Sequence, residues 1–190
     1  MSLLPPPGYI VRMIDSLVLT EAIGEFRKYK EMAEKAMTQV GEEAFFHQVD
    51  AESNSIAVIV KHLAGNLRSR WSDFLTTDGE KQDRDRDGEF VMEGPDEKAA
   101  LQKKWDEAWA VALSALGALT PADLEREVRI RGEPHTVLRA INRNLTHLAY
   151  HVGQIVFLAK HEAAGAWQTL SIPRNRARVT SRRTNPPHRT

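Results

Sequence analysis

The sequence predicts an all-α protein, a four-helix bundle with a long crossover between its second and third helices and a tiny β-hairpin before the fourth. Three observations carry this. Four long segments repeat apolar residues at three- and four-residue steps, the period of an amphipathic helix. Strand-like alternation is confined to one short stretch. A polar run too long for a simple up-down connection separates the second segment from the third, which would let those two helices run parallel.

Along the chain, Pro5, Pro6, Pro7 and Gly8 read as an extended leader. The first helix then spans about Met13 to Val40, with Phe26, Tyr29, Ala33, Ala36 and Met37 on one face. Gly24 is placed to bend it and Gly41 to end it. The second helix is expected from Ser55 to Leu75, capped by Ser53, Asn54 or Ser55. Its stripe is Ile56, Val60, Leu63, Leu67, Trp71 and Phe74. Thr76 to Gly94 follows as the polar connection. The third helix covers about Asp96 to Leu119 and buries Leu101, Trp105, Ala108, Ala112 and Leu116. Thr120 and Pro121 open a short turn. Val128 to Arg131, with the turn Gly132-Glu133-Pro134, forms the hairpin candidate. The fourth and longest helix runs from Thr136 to Ala164, where Gly165 can stop it. Residues 1–175 are read as one domain and 176–190 as a basic tail without periodicity.

Composition removes several function classes. The absence of cysteine excludes thiolate metal sites, disulfides and cysteine nucleophiles. Lys plus Arg equals Asp plus Glu at 26 each, so no overall basic field draws nucleic acid. Aromatic and basic residues are not interleaved as in a single-strand binder. No apolar run approaches the roughly 20 residues that span a bilayer, and no signal peptide is read at the N-terminus. A cytoplasmic protein with no membrane or nucleic-acid partner is therefore expected.

The histidines hold the chemistry. His147 and His151 stand four positions apart on the strongest helix, so their rings share one face. They lie about 100° from the centre of the apolar stripe of Ile141, Leu145, Leu148, Val152, Ile155 and Ala159, with Asn144 on the same strip. On the second helix His62 lies about 120° from its stripe and Asn66 about 80°. If the two strips face each other, three imidazoles converge and leave a fourth position for water or substrate. From the residues alone two readings stay open: a metal site, or partly exposed histidines bonded to water and carbonyls. Leu148 follows His147 where a metalloprotease of the HExxH type would carry its general base. His161, His135 and His188 are read as surface, turn and tail residues, and His47 as structural.

Arg70 lies only about 40° off its apolar stripe. It calls for a salt bridge to Asp78 or Glu80, or else acts as a clamp for a substrate anion. Tyr150 and Gln154 flank the histidine pair and are placed to support it from the second sphere. Gly153 is read as a close helix contact. Asp83 to Gly88 imitates the opening of a calcium loop, but Gly94 stands where the bidentate Glu belongs. That segment is read instead as a solvated loop of alternating charge.

Several spaced blocks resemble one branch of the DinB (damage-inducible) superfamily. They are NSIAVIVKHLAGN from Asn54 to Asn66, SRWSDFLTTDGEK from Ser69 to Lys81, and IRGEPH from Ile130 to His135. Further on come HLAYHVGQI from His147 to Ile155 and WQTLSIPR from Trp167 to Arg174. The resemblance spans about Phe26 to Arg174 and implies a four-helix bundle, often a homodimer. It also implies one divalent transition metal, zinc or nickel foremost, held by His62, His147 and His151, and raises a second reading of the polar connection, a lid over that metal pocket. Better-understood relatives of this fold use low-molecular-weight thiols as transferases or isomerases. The expectation is a metal-dependent thiol S-transferase acting on a small electrophilic molecule, with Arg70 and Asn66 orienting it. A hydrolase that activates water and a non-catalytic, stress-related binding protein are the alternatives.

Overall fold

The computed structural model describes residues 7–92 and 98–173. Within them the protein is mainly helical, with five α-helices and one two-stranded antiparallel sheet. Helix α1 is Pro7–Met37, α2 Glu42–Phe46, α3 Ile56–Trp71, α4 Lys98–Gly117 and α5 Val137–Ala163. Strands β1 (Glu127–Ile130) and β2 (Glu133–Thr136) precede α5. The tail expected at 176–190 lies outside the described residues.

The four long helices pack mainly as two pairs, α1 on α5 and α3 on α4, with lighter contact between the pairs. The two pairs share one apolar core. Phe26 of α1 meets Trp71 of α3 and Trp109 of α4 edge-on, at 5.7 and 6.2 Å between ring centroids. Trp105 stacks obliquely on Trp109. These edge-to-face contacts suit the quadrupoles of the rings as well as their area. Leu63, Leu67, Leu101, Leu116, Ile141, Leu148 and Ile155 fill the space between them. Trp71 satisfies its indole N–H by donating to Asn144 Oδ1 of α5 at 2.8 Å, and Asn144 Nδ2 donates to Asn66 Oδ1 at 3.1 Å. This polar thread links α3 to α5 where apolar packing gives way to the histidines.

Element ends follow local chemistry. Ser55 caps α3 by accepting from Val58 N, and Thr136 caps α5 by accepting from Arg139 N. Thr120 and Asp123 make a reciprocal capping box over the turn Pro121–Asp123. In the hairpin Glu127 pairs with Thr136 and Ile130 with Glu133. Its two-residue turn places Arg131 and Gly132 both at positive φ, 57° and 75°, the combination that matches the twist of the strands.

Four boundaries differ from the sequence reading. Pro7 and Gly8 belong to α1, because proline in a first helical turn forfeits no hydrogen bond. Gly24 does not split α1, and Gly41 is the N-cap of the short α2. Helix α3 stops at Trp71, and Asp73 turns the chain with φ 47°, yet Phe74 still reaches the core from the turn. Helix α5 ends at Ala163, close to the expected Ala164, but its 27 residues are fewer than the 31 of α1. Glu133 and Pro134, expected in the hairpin turn, lie in β2, because the turn closes on Arg131 and Gly132. No helix among the described residues is long and apolar enough to cross a membrane.

Candidate metal centre

The polar strips of α3 and α5 do face each other. His62 and His151 are each 4% exposed, and His147 is half-buried beside them. One ring nitrogen from each lies within 4.8 Å of the other two. His62 Nε2 and His147 Nε2 are 3.2 Å apart. Two nitrogens each about 2.0–2.1 Å from a tetrahedral ion stand about 3.3 Å apart, so this spacing fits a shared ion.

The second nitrogen of each ring decides which atom faces inward. His62 Nδ1–H donates to Glu89 Oε2 at 2.9 Å, which leaves a lone pair on Nε2. His151 Nδ1–H donates to Gln154 Oε1 at 2.9 Å, and its Nε2 is buried with no partner among the described residues. A buried, unpartnered acceptor beside two other imidazoles is a group that a shared cation would satisfy. Two of the rings, His147 and His151, are also held neutral, as ligands must be. Burial, reinforced by the neighbouring His151, His62, Arg70 and Arg84, lowers the His147 pKa to about 3. Burial and His62 lower that of His151 to about 4, against the opposing pull of its bond to Gln154. The donor set of three converging imidazoles therefore fits a divalent transition metal, and imidazole suits zinc, nickel, copper and iron alike.

The chain belongs to the DUF1572 family. That family is described as proteins of unknown function, and its model matches residues 14–176. No curated protein and no solved structure matches the chain.

In this DUF1572 chain the polar connection after α3 folds back over the centre. Glu89, 6% exposed, holds His62 and is itself held by Arg84, whose Nε and Nη2 donate to its two oxygens at 2.8 Å. Arg84 also donates to Glu80. Burial pushes the Glu89 carboxyl pKa up, but the bonds from Arg84 and His62 outweigh it and hold the group below its usual range. Gly65, three residues beyond His62, makes room for this: a Cβ there would overlap the Glu89 carboxylate. Phe90 lays its ring 4.7 Å from that of His62. Glu89 and Arg84 of this segment are thus drawn against the centre, while Asp83, Asp85, Arg86 and Asp87 stay exposed.

The other site residues fall as follows. Gln154 supports His151 as expected, and Tyr150, 54% exposed, stacks on the same ring at 4.0 Å. Asn66 lines the cavity, with its carbonyl oxygen accepting from Asn144. Arg70 forms no salt bridge among the described residues. Asp78 instead accepts from the backbone N–H groups of Glu80, Arg131 and Gly132, while Glu80 pairs with Arg84 and Arg131. Gly153 makes no close contact, since a Cβ there would meet nothing within 4 Å. His47 bonds to Glu162, and His135 sits between Glu133 O and Arg143, both away from the triad. His161 is exposed, and His188 lies outside the described residues.

Glu89 and Arg84 are the functional residues that sequence reasoning missed. Glu89 is one of many alternating charges in its segment. The only pointer to it is Gly65, a residue without a side chain on the polar strip of α3.

Proposed function

We propose that the protein is a DinB-like four-helix bundle, with the segment 72–97 as its long crossover, that holds one divalent transition metal through His62, His147 and His151. We propose further that it is a metal-dependent transferase joining a small thiol to an electrophilic substrate. The observation that carries this reading is the convergence of three imidazole nitrogens at the wall of a cavity, two of the rings oriented by hydrogen bonds to Glu89 and Gln154. Three protein ligands leave a coordination position open, which favours catalysis over a structural role.

When bound, the metal supplies Lewis acidity that lowers the pKa of a thiol at neutral pH. The chain's own residues do the rest. Glu89 and Gln154 accept the Nδ1–H bonds that aim Nε2 of His62 and His151 inward, and the negative Glu89 raises the donor strength of His62. Phe90 and Tyr150 cover the flanks of His62 and His151 and limit water there. Asn66 and Arg70 present polar groups to a bound substrate from the α3 side.

The test is elemental analysis of purified protein, followed by a panel of low-molecular-weight thiols with a chromogenic electrophile. The expected result is about one metal per chain, lost in His62→Ala and His147→Ala, with thiol consumption only in the loaded protein. Unchanged metal content in His62→Ala would overturn the ligand assignment. Loaded protein that consumes no thiol would overturn the transferase reading.

A further inference from the structure

The cavity beside the histidines is more cationic than a metal site needs. It has a volume of about 330 Å³, at the small end of ligand pockets. Its wall carries Arg70, Arg84, Arg86, Arg131 and Arg143 and, among the described residues, no aspartate or glutamate. Two of these charges are already balanced, Arg84 by Glu80 and Glu89, and Arg131 by Glu80. The other three have no carboxylate partner among the described residues. Arg86 rests over the Phe90 ring, and Arg143 Nη1 donates to His135 Nε2 at 3.2 Å.

Arg70 is the exceptional one. It is 6% exposed, its Nη1 is buried without a partner, and its guanidinium makes no hydrogen bond to any described residue. Gly79 lets it settle there, since a Cβ at that position would press on Nη1 and Cδ. Burial first and the charge of Arg143 next pull its pKa down to about 10, still high enough to keep it charged at neutral pH. A buried guanidinium with five donors and no acceptor is costly unless something else accepts from it. The nearby acids do not serve: Asp78 is taken up by backbone N–H groups and Glu80 by Arg84 and Arg131.

We propose that this cavity binds a small molecule through an oxyanion group, a carboxylate or a phosphate, with Arg70 at its floor and Arg143 at its rim as the anchors. The planar fork of a guanidinium matches either group through two parallel N–H···O bonds. The proposal deepens the reading above, because the same cavity would then hold the substrate beside the histidine centre. Its electrostatic argument does not require the metal to be present.

The test uses the full chain, stripped of metal with the neutral chelator 1,10-phenanthroline and then dialysed. Phosphate, succinate and the uncharged succinamide are titrated calorimetrically. Phosphate or succinate is expected to bind with one site per chain, and succinamide is not; which anion binds tells the two sources apart. Arg70→Gln should weaken binding about tenfold or more, with Arg70→Lys retaining part of it. If Arg70→Gln does not fold, the exposed Arg143→Gln should still weaken binding severalfold. Arg27→Gln, at an exposed arginine outside the cavity, should leave anion affinity within about threefold. Succinamide binding as well as succinate, or an affinity unmoved by both Arg70→Gln and Arg143→Gln, would overturn the proposal. Anion binding by a chain that never takes up metal would uphold this inference and sink the function proposed above, and the reverse pattern would do the opposite.

Discussion

His62 and His151 are held in opposite ways. The Nδ1–H of His151 is fixed by Gln154, a neutral side chain on the same helix three residues on. The Nδ1–H of His62 is fixed by Glu89, a buried carboxylate 27 residues away, which in turn relies on Arg84 and, through it, Glu80. One anchor forms with its helix; the other forms only once the crossover has folded back. A neutral local acceptor sets a ring's orientation, whereas a charged distant one also strengthens the ligand and ties its strength to the order of a loop.

The sharpest way to break this contrast is Glu89→Ala. It strips the charge from behind His62 and leaves the buried Arg84 with Glu80 alone. Metal affinity, read by competition with a chelator, should fall about 10- to 100-fold, and chemical denaturation should show a loss of about 3 kcal/mol. Gly65→Ala attacks the same anchor without touching a polar atom. Its Cβ would displace the Glu89 carboxylate, so affinity should fall about tenfold, although alanine is favoured over glycine in a helix interior by about 1 kcal/mol. An unaltered affinity in Gly65→Ala would mean that Glu89 does not depend on this close approach.

Gln154→Ala should be milder: a loss of severalfold up to about tenfold in affinity and about 1 kcal/mol in stability. If it proves as damaging as Glu89→Ala, the charged and neutral anchors are equivalent and the contrast fails. The smallest effect belongs to Asp78, which pins the crossover to the hairpin. Burial raises its pKa, but backbone donors from Glu80, Gly132 and Arg131, with the charge of Arg70, prevail and hold it below 3.8. Its contribution is therefore complete above the unfolded carboxyl pKa and disappears as pH falls through the lower folded value. Asp78→Asn should cost about 1 kcal/mol at pH 7 and progressively less as pH falls through the lowered folded value, measured by urea unfolding across the acid range.

The same contrast explains what could be read without coordinates. Gln154 and the pair His147/His151 were legible because helical period alone places them together. His62 was legible through its position beside an apolar stripe. Ser55 as one of three cap candidates, and the existence of the hairpin though not the place of its turn, follow from residue type and spacing. Helix α2 was not read, because five residues are too few for a period to register. The end of α3 was placed too late because Phe74 continues the stripe from a turn. Arg70 was paired with Asp78 or Glu80 on proximity in sequence, but those acids serve the hairpin turn and Arg84. Glu89 had no local signature, since its partner is remote and its neighbours Asp83, Asp85 and Asp87 are chemically alike.

His62 lies on the α3–α4 pair, and His147 and His151 on the α1–α5 pair, so the triad sits astride the seam between them. An ion there would act as a clasp across two half-structures that already share one apolar core. Free metal concentration would then add to the docking of the halves, by mass action. Starvation for that metal would withdraw the added stability along this one line, while the shared core kept the halves together.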